Sequence, residues 1–564
     1  MAKASVEQIK EESNYLHGTL SEELANPTSH FNDDNKQLLK FHGIYQQEDR
    51  DTRKERKKLG QEILYFFMVR SKIPGGKLTA DQYLVHDELA DRFANGSIRL
   101  TSRQGIQFHG VLKGNLRNHI RSLNEALVST LAACGDVERN VMCCPAPIRN
   151  DPVRDEMQRF ADRIAQHFCP RTTAYHDVWI NGEKIDTKIA TETEEPIYGK
   201  HYLPRKFKTA VGLPEDNCVD LLTNDMGYLV KHKNGAIEGY DIFVGGGQGM
   251  THGNEHTYPR LASPLCFASP EEALDIGTAV VKVQRDFGNR EDRKLARLKY
   301  LLDKWGVEAF RKKVEEYYGK PLAPYSGAVI TGYDDHLGWH DQGDGKLWRG
   351  VHIVSGRIRD TENFKLRTCV RELVQKYRPA VRITGQQNIL FCDIDPKHRV
   401  EIDKHLADHG VIPPDQLPIL IRNALACPAI PTCGLALADS ERAMPDISGA
   451  IHAELARLAL DKEAIVLRMT GCPNACVRSY NCDIGIVGRS PGKYTLFLGG
   501  NILGDTLSFQ YKDLVPQAEI PSVLRGPLLY FKSARKDGEG FGAFCTRVGR
   551  DALLEHSEQA VTAR

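Results

Sequence analysis

Two stretches of the chain echo two others, and the echoes come in the same order. Val381-Arg-Ile-Thr384-Gly-Gln-Gln387-Asn-Ile389-Leu-Phe391 repeats Ile98-Arg99-Leu-Thr101-Ser-Arg103-Gln104-Gly-Ile-Gln107-Phe108, keeping Arg, Thr, Gln, Ile and Phe in step. Tyr494-Thr-Leu-Phe497-Leu-Gly499-Gly repeats Tyr240-Asp-Ile-Phe243-Val-Gly245-Gly. Matches that keep their order mean a duplicated two-part unit, and the period is far too long for a solenoid. The expectation is an α+β fold with pseudo-twofold symmetry, its mixed sheets carrying helices such as Pro152 to Phe168 and Pro270 to Phe287.

The two copies are unequal. Only the second contains Cys427-Pro-Ala-Ile-Pro-Thr-Cys433 and Gly471-Cys472-Pro-Asn-Ala-Cys476. A single cysteine packs as a small apolar residue. Four in two close pairs, each in a loop punctuated by Pro and Gly, read as a metal site, because such loops bend thiolates together and leave backbone N–H groups free to face sulfur. Structural zinc favours tight CxxC knuckles, which both pairs lack, and the wider spacing suits a four-iron four-sulfur cube. A single active site between unequal halves is the natural consequence.

With 564 residues, 41% hydrophobic and 26% charged, the chain is an ordinary globular protein of more than one domain. A net charge of +1 argues against bulk electrostatic binding of nucleic acid. No apolar run is long enough to span a bilayer. The first residues lack an apolar core and carry acids early, so a cytoplasmic address is expected. Fourteen cysteines would stay reduced there, free for metal.

Residues 1–60 read as a polar arm ending in the charge run Arg53-Lys-Glu-Arg-Lys-Lys58, a solvated face unless it docks an acidic electron carrier. Beyond Tyr65-Phe-Phe-Met-Val-Arg70, the alternation in Ile98 to Gly110 puts Arg99, Thr101, Arg103, Gln107 and His109 near one face of extended chain, broken around Gly105. A lone Arg there would face solvent. Several arginines with Gln and His beside them suit a polyanion, since guanidinium pairs bidentately with carboxylates. Leu203-Pro-Arg205-Lys206-Phe-Lys208 reads as a strand aiming Lys206 and Lys208 to one face, where like charges repel unless an anion joins them. The loop Gly245-Gly-Gly-Gln-Gly249 fails as a dinucleotide fingerprint, because Met250 stands where the third glycine belongs. Electrons are therefore expected from a protein partner.

The C-x5-C and T-G-C-P-N-x-C motifs resemble the signature of the sirohaem-containing sulfite and nitrite reductases, and the similarity runs from about Glu12 to about Gly549. The resemblance implies that Cys427, Cys433, Cys472 and Cys476 hold a [4Fe–4S] cluster and that Cys476 also gives its sulfur to the sirohaem iron. Arg99, Thr101, Arg103, Gln107 and His109 would meet the sirohaem carboxylates, with Asn474 close to the cofactors or acting only as a turn residue. Arg70, Arg139, Lys206 and Lys208 resemble the substrate-anion clamp. Nitrite-reducing members typically carry Asn where this chain has Lys208, which tilts the reading to six-electron reduction of sulfite to sulfide.

The runs Leu221 to Gly227, Tyr317 to Lys320 and Leu337 to Gly345 look closer to ferredoxin-dependent members than to the haemoprotein subunit that works with a flavoprotein reductase and NADPH. By resemblance, 61–150 pairs with 321–420 in one domain, 151–320 forms a second and 421–564 a third, with the cofactors at their junction. The alternatives are a nitrite reductase of the same family, the haemoprotein subunit of an NADPH-dependent sulfite reductase, and a non-catalytic iron–sulfur or redox-sensing protein, which would not need the clamp. Cys482 and the pair Cys143-Cys144 read as apolar filler.

Overall fold

The computed structural model describes residues 4–562, apart from 173, 175–177, 181–182 and 186–194. Its α+β architecture is built on four five-stranded sheets that form two matched pairs. The first sheet runs, in spatial order, Ile44–Glu48, Tyr65–Arg70, Ile106–Val111, Ile98–Leu100 and Arg357–Ile358. Its counterpart runs Gly338–Asp341, Leu347–Val351, Ile389–Ile394, Ala380–Ile383 and Lys77–Leu78. Each takes its fifth strand from the other copy. Arg357 pairs with Arg99, and Arg382 with Lys77, so neither sheet is complete without its twin.

The repeated motif also folds the same way twice. Thr101 and Thr384 each open a tight turn: their N–H groups donate to Gly105 and Asn388, whose N–H groups return to the Thr hydroxyls at 3.0 and 3.1 Å. The left-handed residue falls at Gln104 in one turn and Gln387 in the other. Because each turn closes a hairpin, the run from Ile98 to Gly110 is not the single extended face expected from alternation. Arg99 instead lies opposite Gln107 on the neighbouring strand, which keeps Arg99, Gln107 and His109 on one face.

The second pair of sheets follows one topology. Met142–Cys143, Thr209–Gly212 and Met226–Lys233 are parallel, and Ala236–Val244 and Ser263–Ala268 return antiparallel. Leu425–Ala426, Leu467–Thr470, Ile484–Ser490, Lys493–Leu498 and Phe509–Pro516 repeat that order and those directions. The echoed Tyr-x-x-Phe segments are matching antiparallel strands of the two sheets. Helix Pro152–His167 and helix Ala273–Phe287 pack on the first of them, burying Phe160, Ile164, Ile276 and Val280. At about 25 cal/mol per Å², such buried apolar faces hold the layers together.

The first sixty residues are not a detached arm. Ile44–Glu48 is the edge strand of the first sheet, and the buried Lys10 ammonium donates to the Leu203 carbonyl at 2.8 Å. The run 203–208 is not a strand either: only Phe207 bridges, to Glu138, and regular pairing starts at Thr209. Among the described residues, no helix is long and apolar enough to cross a membrane.

Candidate active site

Parallel strands place the cysteines. Ala426 lies beside Met469, so Cys427 and Cys472 leave neighbouring strands at the same sheet edge. Ser440 ties the two exits, accepting from the Cys427 N–H at 3.2 Å and donating to the Met469 carbonyl at 2.7 Å. Glycine is required behind the loop: a Cβ on Gly488 would sit 2.4 Å from the Gly471 carbonyl. The Gly245–Gly249 loop packs on its other side, where the Met250 N–H donates to the Pro473 carbonyl at 2.9 Å and Gln248 accepts from the Tyr480 N–H at 2.9 Å. That glycine-rich loop braces the cysteine loop.

The sulfurs have the surroundings of cluster ligands. Cys427 accepts from the Gly471 N–H at 3.3 Å and Cys472 from the Asn474 amide at 3.4 Å, while the N–H groups of Leu435 and Ala436 face Cys433. Burial, then the neighbouring Cys476, raises Cys427 and pushes Cys472 up to about 12. Thiols raised in this way, as at Cys427, Cys433 and Cys472, ionise readily only with a cationic centre beside them. Among the described residues, the sets whose ligand atoms all lie within 4.8 Å of one another do not include these four. Thiolates on one zinc stand about 3.8 Å apart, given bonds of about 2.3 Å, so the wider spread fits a polynuclear cluster.

Cys476 is exposed, and its surroundings are cationic. Lys206 is held well below the ordinary lysine value by burial, then by Arg205 and Arg297, with Cys476 pulling the other way and Arg139 adding to the depression. Lys208 is lowered by burial and then by Lys206. Both lysines, and Arg205 beside them, lack a hydrogen-bond or ion-pair partner among the described residues. Arg70 and Arg139 converge from the other side: their Nη1 atoms lie 3.4 and 3.3 Å from the same Ala133 carbonyl. Gln107, its amide oxygen towards Arg70, accepts from Nε at 3.1 Å, and Arg70 stacks 6.0 Å from the Tyr45 ring.

The remaining expected residues divide into committed and free. Arg99 is committed to Glu441 at 2.9 Å and to the Ala426 carbonyl at 2.6 Å. Arg103 places both terminal nitrogens on the Asn224 oxygen at 2.8 Å, leaving its buried Nε without a partner. Thr101 accepts within its own turn. His109 is free: it is 1% exposed, both ring nitrogens are unpartnered, and burial together with Arg357 and Arg99 keeps the ring neutral. Gln387 in the second turn also leaves both amide atoms unpartnered. Buried polar atoms without partners cost about 1–3 kcal/mol each, so these point to a large polar group held between the halves.

A protein named sulfite reductase [ferredoxin], from Synechococcus elongatus, is 42% identical over 571 residues, covering 98% of this chain and 91% of its own length. The chain belongs to the nitrite and sulfite reductase family. Within it, the 4Fe-4S domain description fits residues 160–322 and the ferredoxin-like half domain fits 60–126 and 340–409. A sulfite reductase [NADPH] hemoprotein beta-component from Staphylococcus carnosus is 43% identical over 96% of this chain and 95% of its own. The NirA protein of Mycobacterium tuberculosis shares the fold, with TM-score 0.76 and 23% identity, covering 95% of this chain and 97% of that one. As a member of this family the chain is an oxidoreductase with a [4Fe–4S] cluster and sirohaem, and the donor set described above fits both.

Sequence reasoning missed Arg205 and Glu441. Strand alternation assigned Arg205 to the opposite face from the lysines, but the segment is irregular. Glu441 lies far in sequence from Arg99, and no local pattern marks it. Cys144 is not apolar filler: its sulfur lies 2.9 Å from an Asp216 oxygen and 2.8 Å from Arg154 Nη1. Cys482 is fully buried beside the Ile484 carbonyl at 3.3 Å.

Proposed function

We propose that the chain reduces sulfite to sulfide, with electrons from ferredoxin, in the recess bounded by Arg70, Arg139, Lys206 and Lys208. The observation that carries the reading is the pair of half-buried, unpartnered lysines, Lys206 and Lys208, the first of which feels the Cys476 sulfur. Two lysines depressed by burial and by neighbouring cations gain most from a dianion, which joins them and restores their protons. Cys476 would hold the sirohaem next to the cluster, and that group would supply an iron that binds sulfur and a store of electrons. Arg70 and Arg139, anchored on Ala133, hold the substrate oxygens through guanidinium forks suited to an oxyanion. Lys206 and Lys208 hand protons to those oxygens as they leave as water, a task their lowered proton affinity suits. Arg103, Thr101, Gln107 and His109 surround the cofactor carboxylates, with Arg99 acting beside them, and Asn474 tunes the cluster through Cys472. The working frame is 61–150 with 321–420, then 151–320, then 421–564.

Ferredoxin is favoured as donor by the helix Arg53–Lys58. Lys54, Lys57 and Lys58 are exposed there, and Arg50 just before it donates to the Cys433 and Ala436 carbonyls at 3.0 and 3.2 Å. An acidic carrier seated on this helix would lie next to the cluster loop, where Leu435 is 67% exposed. The test is turnover on sulfite and on nitrite, each with reduced ferredoxin and with NADPH plus a flavoprotein reductase. Preference for sulfite with ferredoxin supports the reading. Preference for nitrite would reassign the substrate, and NADPH-driven turnover alone would reassign the donor.

A further inference from the structure

Away from the four cysteines, a second set of metal-binding side chains meets in the protein interior. Cys144, Asp216, Cys218 and His336 place one ligand atom each within 4.8 Å of all the others, and all four are buried to 2% exposure or less. They come from three distant pieces of chain: the exit of strand Met142–Cys143, the loop after strand Thr209–Gly212, and the segment that leads into strand Gly338–Asp341.

The geometry points to a structural zinc site with Cys144, Asp216, Cys218 and His336 as its four ligands. Two thiolates, an imidazole and a carboxylate are a donor set that zinc takes tetrahedrally. With bonds of about 2.3 Å to sulfur and about 2.0–2.1 Å to nitrogen and oxygen, a tetrahedron has N–S edges of about 3.6 Å and N–O edges of about 3.3 Å. His336 Nε2 lies 3.6 Å from Cys144 Sγ and 3.3 Å from Asp216 Oδ2. The third measured edge, Cys144 Sγ to Asp216 Oδ2, is 2.9 Å, a thiol–carboxylate hydrogen bond that opens when metal replaces the thiol proton.

Charge and outer contacts agree. Two thiolates and a carboxylate around a divalent ion leave one negative charge, and Arg154 supplies the matching cation, with Nη1 at 2.8 Å from Cys144 Sγ and 3.2 Å from Asp216 Oδ2. The far ring nitrogen of His336 stands 3.8 Å from an Asp334 carboxylate, which also accepts the His336 N–H at 2.8 Å. A carboxylate behind a ligating imidazole orients it. The His336 backbone sits at φ 58°, a left-handed conformation uncommon for a residue with a side chain. An ion here would clip two long loops shut, where a cross-link removes the most chain entropy. It would also fix the loop through Asp220, which holds Arg468 at 3.0 Å and Arg478, so that the clip braces the contact between the first copy and the cysteine-bearing one.

The test is elemental analysis of the holoenzyme, prepared with zinc in the growth medium and no chelator, beside the variants Cys218→Ser and His336→Ala. The expected result is about one zinc per chain in the parent, lost from both variants while the iron content stays unchanged. Should either variant fold poorly, zinc X-ray absorption of the parent decides, with two sulfur neighbours at about 2.3 Å and two nitrogen or oxygen neighbours at about 2.0 Å. Zinc below about a tenth per chain, zinc retained in both variants, or a Cys144–Cys218 disulfide in the zinc-free parent overturns the assignment.

Discussion

The Glu441 carboxylate lies 2.9 Å from Arg99 Nε and, through its other edge, 2.6 Å from Arg357 Nε. Arg99 and Arg357 are themselves cross-strand partners from the two copies. One carboxylate thus locks the cysteine-bearing copy onto the strand that each half lends the other. Burial opposes its charge, but Arg357 and Arg99 outweigh burial and hold Glu441 at about 2, below its ordinary 4.5.

That difference contributes about 3 kcal/mol of stability. The contribution is complete above pH 4.5 and is lost as pH falls through about 2. Glu441→Gln should destabilise the folded chain by about 3 kcal/mol at neutral pH, since it leaves two buried guanidiniums without their counter-charge. Urea unfolding of both proteins across pH checks this: the gap between them should shrink below pH 4.5. A gap that stays constant down to pH 3 would show that the charge is not the cause.

Replacing Lys208 by Asn should lower kcat/KM for sulfite about a hundredfold, the scale of losing one charge-stabilising donor, and cost nitrite turnover far less. Lys206 lowers the proton affinity of Lys208, so removing Lys206 lets Lys208 keep its proton to higher pH. The alkaline fall in sulfite turnover, expected below the ordinary lysine value of 10.5, should therefore move upward in Lys206→Ala. Steady-state kinetics on both anions across pH report both effects. An unmoved alkaline limb would separate the lysines from the titration.

The Asn474 amide donates to Cys472 at 3.4 Å. Hydrogen bonds to cluster sulfur stabilise the more reduced, more negative state. With about 1 kcal/mol for the bond, Asn474→Ala should lower the one-electron cluster potential by about 40 mV. A redox titration followed by electron paramagnetic resonance measures it. An unchanged potential would leave Asn474 as a turn residue.

Reversing the charges at Lys54, Lys57 and Lys58 should raise KM for ferredoxin about tenfold at low salt and leave turnover with a small chemical reductant untouched. Loss of both would mean that the helix matters for folding and not for docking.

Much of this was legible in the chain. The duplication could be read because its turns need Thr, and a residue tolerant of left-handed backbone, at fixed positions. The four cysteines could be read because ligand spacing is local. The exchanged strands Lys77–Leu78 and Arg357–Ile358 could not, since two residues carry no periodicity. Nor could the hairpin at Gly105: the pattern showed a break there, but the same residue parity on both sides of the turn hid the reversal of the chain. The partners of Arg99 and Cys144 lie hundreds and tens of residues away, and only the fold brings them together. The strand expected to aim Lys206 and Lys208 together is absent: the segment carries only the isolated bridge at Phe207.

The most direct test is the electron count per sulfite. Purified holoenzyme is supplied with a known amount of reduced ferredoxin and limiting sulfite, and ferredoxin oxidised and sulfide formed are measured together. The account predicts six electrons and one sulfide for each sulfite consumed. Sulfite left intact while nitrite is reduced, or sulfite consumed without matching sulfide, would contradict it.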